Sequence, residues 1–167
     1  AFGLDPASIL NPVINLKYDP ATLAAEIYRQ MGGRLGISKK LVKKSLYHAI
    51  ERQRQFVADM HQQGSKILRK LDSAEPIMVV TGRPYNLYDD RLNLRLGQNL
   101  AKLGIAALPM DFIDTGAVDL TEFPAMFWGL GAQILKTAKI VVGNLNYFGL
   151  HLTNFGCGAD SFVEHFY

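Results

Sequence analysis

Ile77-Met78-Val79-Val80-Thr81-Gly82-Arg83-Pro84-Tyr85-Asn86 is the stretch on which the fold turns. Its first four residues form a short apolar run rich in β-branched side chains, the composition of a strand buried on both faces of a parallel sheet. The next six turn the chain. Downstream, Leu92, Leu96, Leu100 and Leu103 form a helical stripe closed by Gly104, and Ile105-Ala106-Ala107-Leu108-Pro109 opens a second strand. Strand, loop, helix and strand make a βαβ unit. The pattern then predicts a helix starting near Pro124, a third strand at Lys139-Ile140-Val141-Val142-Gly143, a fourth over Phe148–Asn154 and a helix from Asp160. This is an α/β domain with a doubly wound parallel sheet, Rossmann-like or flavodoxin-like.

Upstream the periodicity changes. The polar, turn-forming Asp72-Ser73-Ala74-Glu75-Pro76 separates an N-terminal helical segment, 1–75, from the α/β domain, 76–167. Asp19-Pro20 starts a first helix of about 20–31, which Gly32-Gly33 is expected to stop. Ser38 caps a longer one with Val42, Leu46, Ile50, Val57, Met60, Ile67 and Leu71 on its apolar face, and Gly64 is a point where it could bend. The opposite face carries Lys39, Lys43, Lys44, Arg52, Arg54, Lys66 and Arg69. Between Arg29 and Lys70 eleven Lys or Arg stand against Glu51 and Asp59, so the overall charge of +3 hides a strongly basic first half. The stripe has no aromatic interleaving and no nucleic-acid motif, and reads as a solvated helix face.

Composition removes several function classes. Every apolar run is broken well before the roughly 18 residues of a membrane helix. Ala1-Phe2-Gly3-Leu4-Asp5-Pro6 lacks the basic start and apolar middle of a secretion signal, so a cytoplasmic protein without membrane or nucleic-acid partners is expected. A single cysteine, Cys157, excludes an internal disulfide, and with His48, His61, His151 and His165 scattered it gives no zinc spacing. No local triad, phosphate-binding glycine motif or dinucleotide fingerprint occurs.

Ligands in open parallel sheets gather beyond the carboxyl ends of the strands, so the loops after Val80, Leu108, Val142 and Asn154 are expected to share one edge. Gly82, Arg83 and Tyr85 combine a flexible backbone, a cation and an aromatic ring, suited to a phosphate or carboxylate. The alternative is a turn in which Arg83 pairs with a structural carboxylate such as Asp111, itself read as structural. In Thr153-Asn154-Phe155-Gly156-Cys157-Gly158-Ala159-Asp160-Ser161-Phe162, two glycines leave the sulfur approachable, and a following helix would aim amides at it. Those conditions suit a metal or cluster ligand or a nucleophile; an isolated cysteine in a glycine turn is otherwise just a small residue.

Gly82-Arg83-Pro84-Tyr85-Asn86, Asn93-Leu94, Leu108-Pro109-Met110-Asp111-Phe112 and Leu152–Phe162 resemble, in order and spacing, the core of the activase-related proteins of 2-hydroxyacyl-CoA dehydratases. These are large multidomain activators of the (R)-2-hydroxyglutaryl-CoA dehydratase type. Leu10-Asn11-Pro12-Val13-Ile14-Asn15 and the helix with Gln55-Phe56 are similar too, so the resemblance covers nearly the whole chain. It implies a protein that joins ATPase activator domains to cluster-bearing domains and serves low-potential electron transfer for dehydration of (R)-2-hydroxyacyl-CoA. It implies one metal ligand here, Cys157, to an iron–sulfur cluster such as 4Fe-4S that is present in the complete protein and absent from this fragment. No catalytic residue and no ATPase motif transfers. The end at Val163-Glu164-His165-Phe166-Tyr167, inside an apparent helix, implies truncation. The competing expectation is a module without redox role, in which Gly82, Arg83 and Tyr85 hold a CoA or nucleotide phosphate.

Overall fold

The computed structural model describes residues 8–71, 75–154 and 156–167. Asp72-Ser73-Ala74 of the polar junction, Phe155 of the cysteine loop and Ala1–Pro6 lie outside the described residues. The chain divides into two compact units, Ala1–Phe56 and Val57–Tyr167.

In the first unit, α1 (Pro20–Ile27) starts as the sequence dictates: the Asp19 side chain accepts from the amides of Ala21 and Thr22, with proline in the first turn. The glycine pair does not stop it. The helix passes through a π turn (Tyr28–Gly32) into α2 (Gly33–Leu35), with Gly32 and Gly33 both right-handed, and ends at Gly36, whose φ is +62°. Glycine permits the left-handed cap without imposing it, and at Gly32 the Tyr28 ring occupies the space that a Cβ would need. Next, α3 (Lys39–Lys70) is capped by Ser38, whose hydroxyl accepts from the Leu41 amide at 3.2 Å.

In the second unit α3 runs unbroken through Gly64. A Cβ there would overlap the Phe112 carbonyl, so this glycine serves a close approach rather than a bend. The sheet has three strands: β1 (Ile77–Gly82), β2 (Ala106–Pro109) and β3 (Tyr147–Leu152), in the order β2-β1-β3, all parallel. Between β1 and β2 lie α4 (Pro84–Tyr88) and α5 (Leu96–Lys102), and β2 runs into a single 3-10 turn at Met110–Phe112. α6 (Gly129–Val142) and α7 (Gly158–Glu164) precede and follow β3. The fold is thus an open parallel α/β sheet with an N-terminal helical segment, as expected.

Both sheet faces are covered, as a parallel sheet requires. On one, Ile77 and Val79 pack with Leu108, Ile113, Leu68, Leu71, Ile140 and Val141; on the other, Val80 and Met78 meet Leu87, Met110, Ile134, Leu135 and Val163. Each fully buried side chain of this kind stabilises the fold by about 1.5–3 kcal/mol.

The expected third strand is a helix. Ile140-Val141-Val142 completes α6, which begins at Gly129 rather than near Pro124. A short apolar run fits either period, and here Ile140 and Val141 pack with the cluster that Ile77 and Val79 join. The loop after Val142 consequently enters β3 at the opposite edge of the sheet, where the Asn146 carbonyl accepts from the Ile77 amide at 2.8 Å. No helix among the described residues is long and apolar enough to cross a membrane.

Candidate functional site

With β2 and β3 on opposite sides of β1, the strand order reverses at β1 and β3, and the crevice beyond their carboxyl ends is the place where such sheets take ligands. Gly82 and Leu152 are register partners at that edge. Gly82 has φ +151°, and a Cβ on it would lie 2.6 Å from the Leu152 carbonyl oxygen, so glycine is required for the two strands to end side by side. Directly after it, Arg83 turns the chain into α4, and buried Asn86 secures the turn, its Nδ2 donating to the Leu152 carbonyl at 3.3 Å.

Arg83 reaches across this crevice. Its Nε donates to Asp160 Oδ1 at 3.0 Å, and Nη2 stands 3.0 Å from the same oxygen. The other carboxylate oxygen accepts from the Thr153 hydroxyl at 3.1 Å. Asp160 is 1% exposed. Burial works against the guanidinium charge, but hydrogen bonds to Cys157 and Asp160 outweigh it and raise the arginine pKa above its ordinary value. Cys157, half-buried, is the residue that caps α7, so it stands at the head of the same helical turn that holds Asp160, the partner of Arg83.

Arg83 and Cys157 thus come together, with Gly82 supporting the strand end; Tyr85, on α4, is 47% exposed. The partner of Arg83 is Asp160 and not Asp111. Asp111 instead joins α4 to α6, accepting from the Tyr88 hydroxyl at 2.7 Å and from Gln133 Nε2 at 3.0 Å. Burial, reinforced by that carboxylate, pushes the Tyr88 pKa up.

Two further groups at this edge escape a sequence reading. Thr81, fully buried on β1, shares a hydrogen bond of 3.0 Å with His151 Nδ1 on β3, and the Tyr167 ring stacks at a tilt on the histidine, 5.2 Å between centroids. His151 Nε2 is buried without a hydrogen-bond partner among the described residues, and desolvation lowers the histidine pKa. Asp160 was legible only as a helix-start residue; nothing local ties it to an arginine 77 positions away.

A cubane cluster takes four thiolates, or three with another ligand. The described residues do not fit one by themselves: no group of three or more His, Cys, Asp or Glu could hold a metal ion, and Asp160, in the first turn of the helix that Cys157 caps, is engaged by Arg83 and Thr153. Cys157 can supply one ligand.

No curated protein and no solved structure matches the chain. One family model does, over residues 2–113, a span that includes α3, the β1–β2 unit and Arg83 and ends before Cys157. On that match, which covers more than half of its length, the chain belongs to the CoA enzyme activase uncharacterised domain family (DUF2229).

Proposed function

We propose that this chain is a module of an activator-type protein of the 2-hydroxyacyl-CoA dehydratase group, contributing Cys157 as one ligand to an iron–sulfur cluster completed by thiols from outside the chain. In this reading the parent protein joins it to ATPase activator domains and further cluster-bearing domains in the cytoplasm. The cluster would supply low-potential electrons for removing water from an (R)-2-hydroxyacyl-CoA. Membership of the CoA enzyme activase family supports the general role. The observation that carries the finer one is the position of Cys157, partly open at the head of α7, whose first turn is held by Arg83 at the crevice where the strand order reverses.

The test is anaerobic reconstitution of the intact protein with iron and sulfide. Cys157→Ser should hold less cluster iron than the unsubstituted protein, and equal contents would remove this cysteine from the ligand set.

The second reading places a CoA or nucleotide phosphate at Gly82, Arg83 and Tyr85. Its support is the same crevice and the exposed ring of Tyr85. An anion there would have to compete with Asp160 for Arg83. Titration with CoA and adenine nucleotides decides it, because binding that survives Arg83→Ala would contradict a phosphate contact.

A further inference from the structure

The first unit carries an apolar groove of about 340 Å³ between α1 and α3, lined by Ile27, Ile37, Leu41, Val42, Leu46 and Ala49. We infer that this groove docks an acidic amphipathic helix of a partner protein. Among its described residues the unit hides few apolar side chains, Leu23, Ala24 and Val42, while Leu41 is 48% exposed at the groove.

Charge identifies the occupant. Over residues 8–56, nine Lys or Arg stand against three Asp or Glu. The ion pairs in this stretch, Arg29–Glu26 and Arg54–Glu51, leave Lys39, Lys40, Lys43 and Lys44 unmatched among the described residues. These four lysines crowd the amino end of α3, whose first turn holds no acid. Cations are unfavourable there twice over, against the helix dipole and against each other at i,i+4. An anionic partner relieves both.

At 100° per residue the groove positions of α3, from Leu41 round to Leu46, span an arc of about 140°. Lys39 and Lys43 lie within about 60° beyond one border of that arc, and Lys44 about 60° beyond the other. An apolar trough between two helices with cationic margins is complementary to a helix with a leucine stripe flanked by Glu or Asp. A membrane would meet lysines on a convex face, whereas here the apolar residues line a concave one. A second copy does not match the groove either, because no described helix of this chain presents a row of acids: in α1 Glu26 is paired with Arg29, α3 is basic, α6 carries Lys136 and Lys139 without an acid, and in α7 Asp160 is buried and Glu164 is the one exposed acid.

The test titrates the whole chain with a labelled designed peptide of about 18 residues, five helical turns, with leucines at i, i+3, i+4 and i+7 and glutamates elsewhere. Anisotropy should show saturable one-to-one binding that weakens with salt. Leu41→Glu, and separately Lys39→Glu with Lys43→Glu, should weaken it at least about tenfold. Leu103→Glu is the control, since Leu103 is exposed at 73%, belongs to the second unit and receives the same charge. It should leave affinity within about twofold. Equal losses in Leu41→Glu and Leu103→Glu would reduce the effect to bulk charge and overturn the groove. Failure of the peptide to bind would overturn it too, as would tighter binding to phosphatidylserine vesicles or self-association abolished by Leu41→Glu.

Discussion

Arg83 and Asp160, 77 residues apart in sequence, form an ion pair with a buried acid, in which Nε and Nη2 both stand 3.0 Å from one carboxylate oxygen. The pair ties the exit of β1 to the first turn of α7 and so fixes the distance between the two loops that hold the candidate site. The acid is buried, its second oxygen is taken by Thr153, and among the described residues no other cation pairs with it. Removing the arginine strands a charge, whereas removing both partners does not.

Arg83→Ala is therefore expected to destabilise the protein by about 3 kcal/mol. Arg83→Met combined with Asp160→Leu should cost clearly less than the sum of the two single changes. Urea unfolding of the four proteins gives the coupling directly, and simple additivity would show that the pair contributes nothing beyond its separate side chains.

Two helical glycines should respond in opposite directions to alanine. In α5, Gly97 has open space where a Cβ would go, so Gly97→Ala should stabilise by about 0.5–1 kcal/mol through helix propensity. In α3, Gly64 abuts the backbone of Phe112, and Gly64→Ala must push the 110–112 turn away, giving a clear loss. Thermal unfolding of both variants checks the pair, and a stable Gly64→Ala protein would mean that α3 does not pass so close to that turn.

At the strand exit, Gly82→Ala faces both a positive φ and the Leu152 carbonyl. A strained backbone position of this kind costs about 1–3 kcal/mol. The local consequence is sharper than the global one: the ends of β1 and β3 should separate, and Asn86 should lose its bond to Leu152. Amide exchange confined to residues 80–86 and 150–154 is the expected signature, and unaltered exchange there would refute the close approach.

The sheet was legible because Ile77–Val80, Ile105–Pro109 and Phe148–Asn154 each carry a strand signal bounded by turn residues, and their strands lie within about two residues of those limits. α3 was legible through seven apolar positions at helical spacing. Lys139–Gly143 was misread because a β-branched run of that length satisfies either period, and what decides is the neighbouring helical register from Gly131 to Thr137. Gly32-Gly33 misled for a related reason: glycine allows a helix end, but the end came where Gly36 took the left-handed conformation. At the site, spacing relative to the strand ends placed Arg83 and Cys157 on one edge. It could not choose Asp160 over Asp111, because Asp111 stands just past β2 whereas Asp160 lies in the first turn of α7, and only the packing of α7 and α6 brings one to Arg83 and keeps the other from it.

His151 makes stability depend on pH. Its imidazole is partly desolvated between β1 and Tyr167, with Nδ1 on the Thr81 hydroxyl and Nε2 buried, so the folded protein holds it neutral and its pKa lies below the ordinary histidine value. Burial dominates; Asp160 and Glu164 oppose it by favouring the proton, and Arg83 acts with it. In the unfolded chain the same ring titrates near about 6.5. Below that pH the unfolded state binds a proton that the folded state resists, so ν for the unfolded state exceeds that for the native one and stability rises with pH. The stabilisation is complete above the unfolded pKa and is lost as the pH falls below about 6.5 toward the folded value. Urea midpoints measured between about pH 7.5 and 5.5, a window chosen around that pKa, should fall in the unsubstituted protein and fall less in His151→Gln, which keeps a polar group toward Thr81 without a titrating ring. Parallel curves for the two proteins would mean that His151 takes up its proton as readily in the fold as in the open chain, and that the desolvated position between Thr81 and Tyr167 is not the one it occupies in solution.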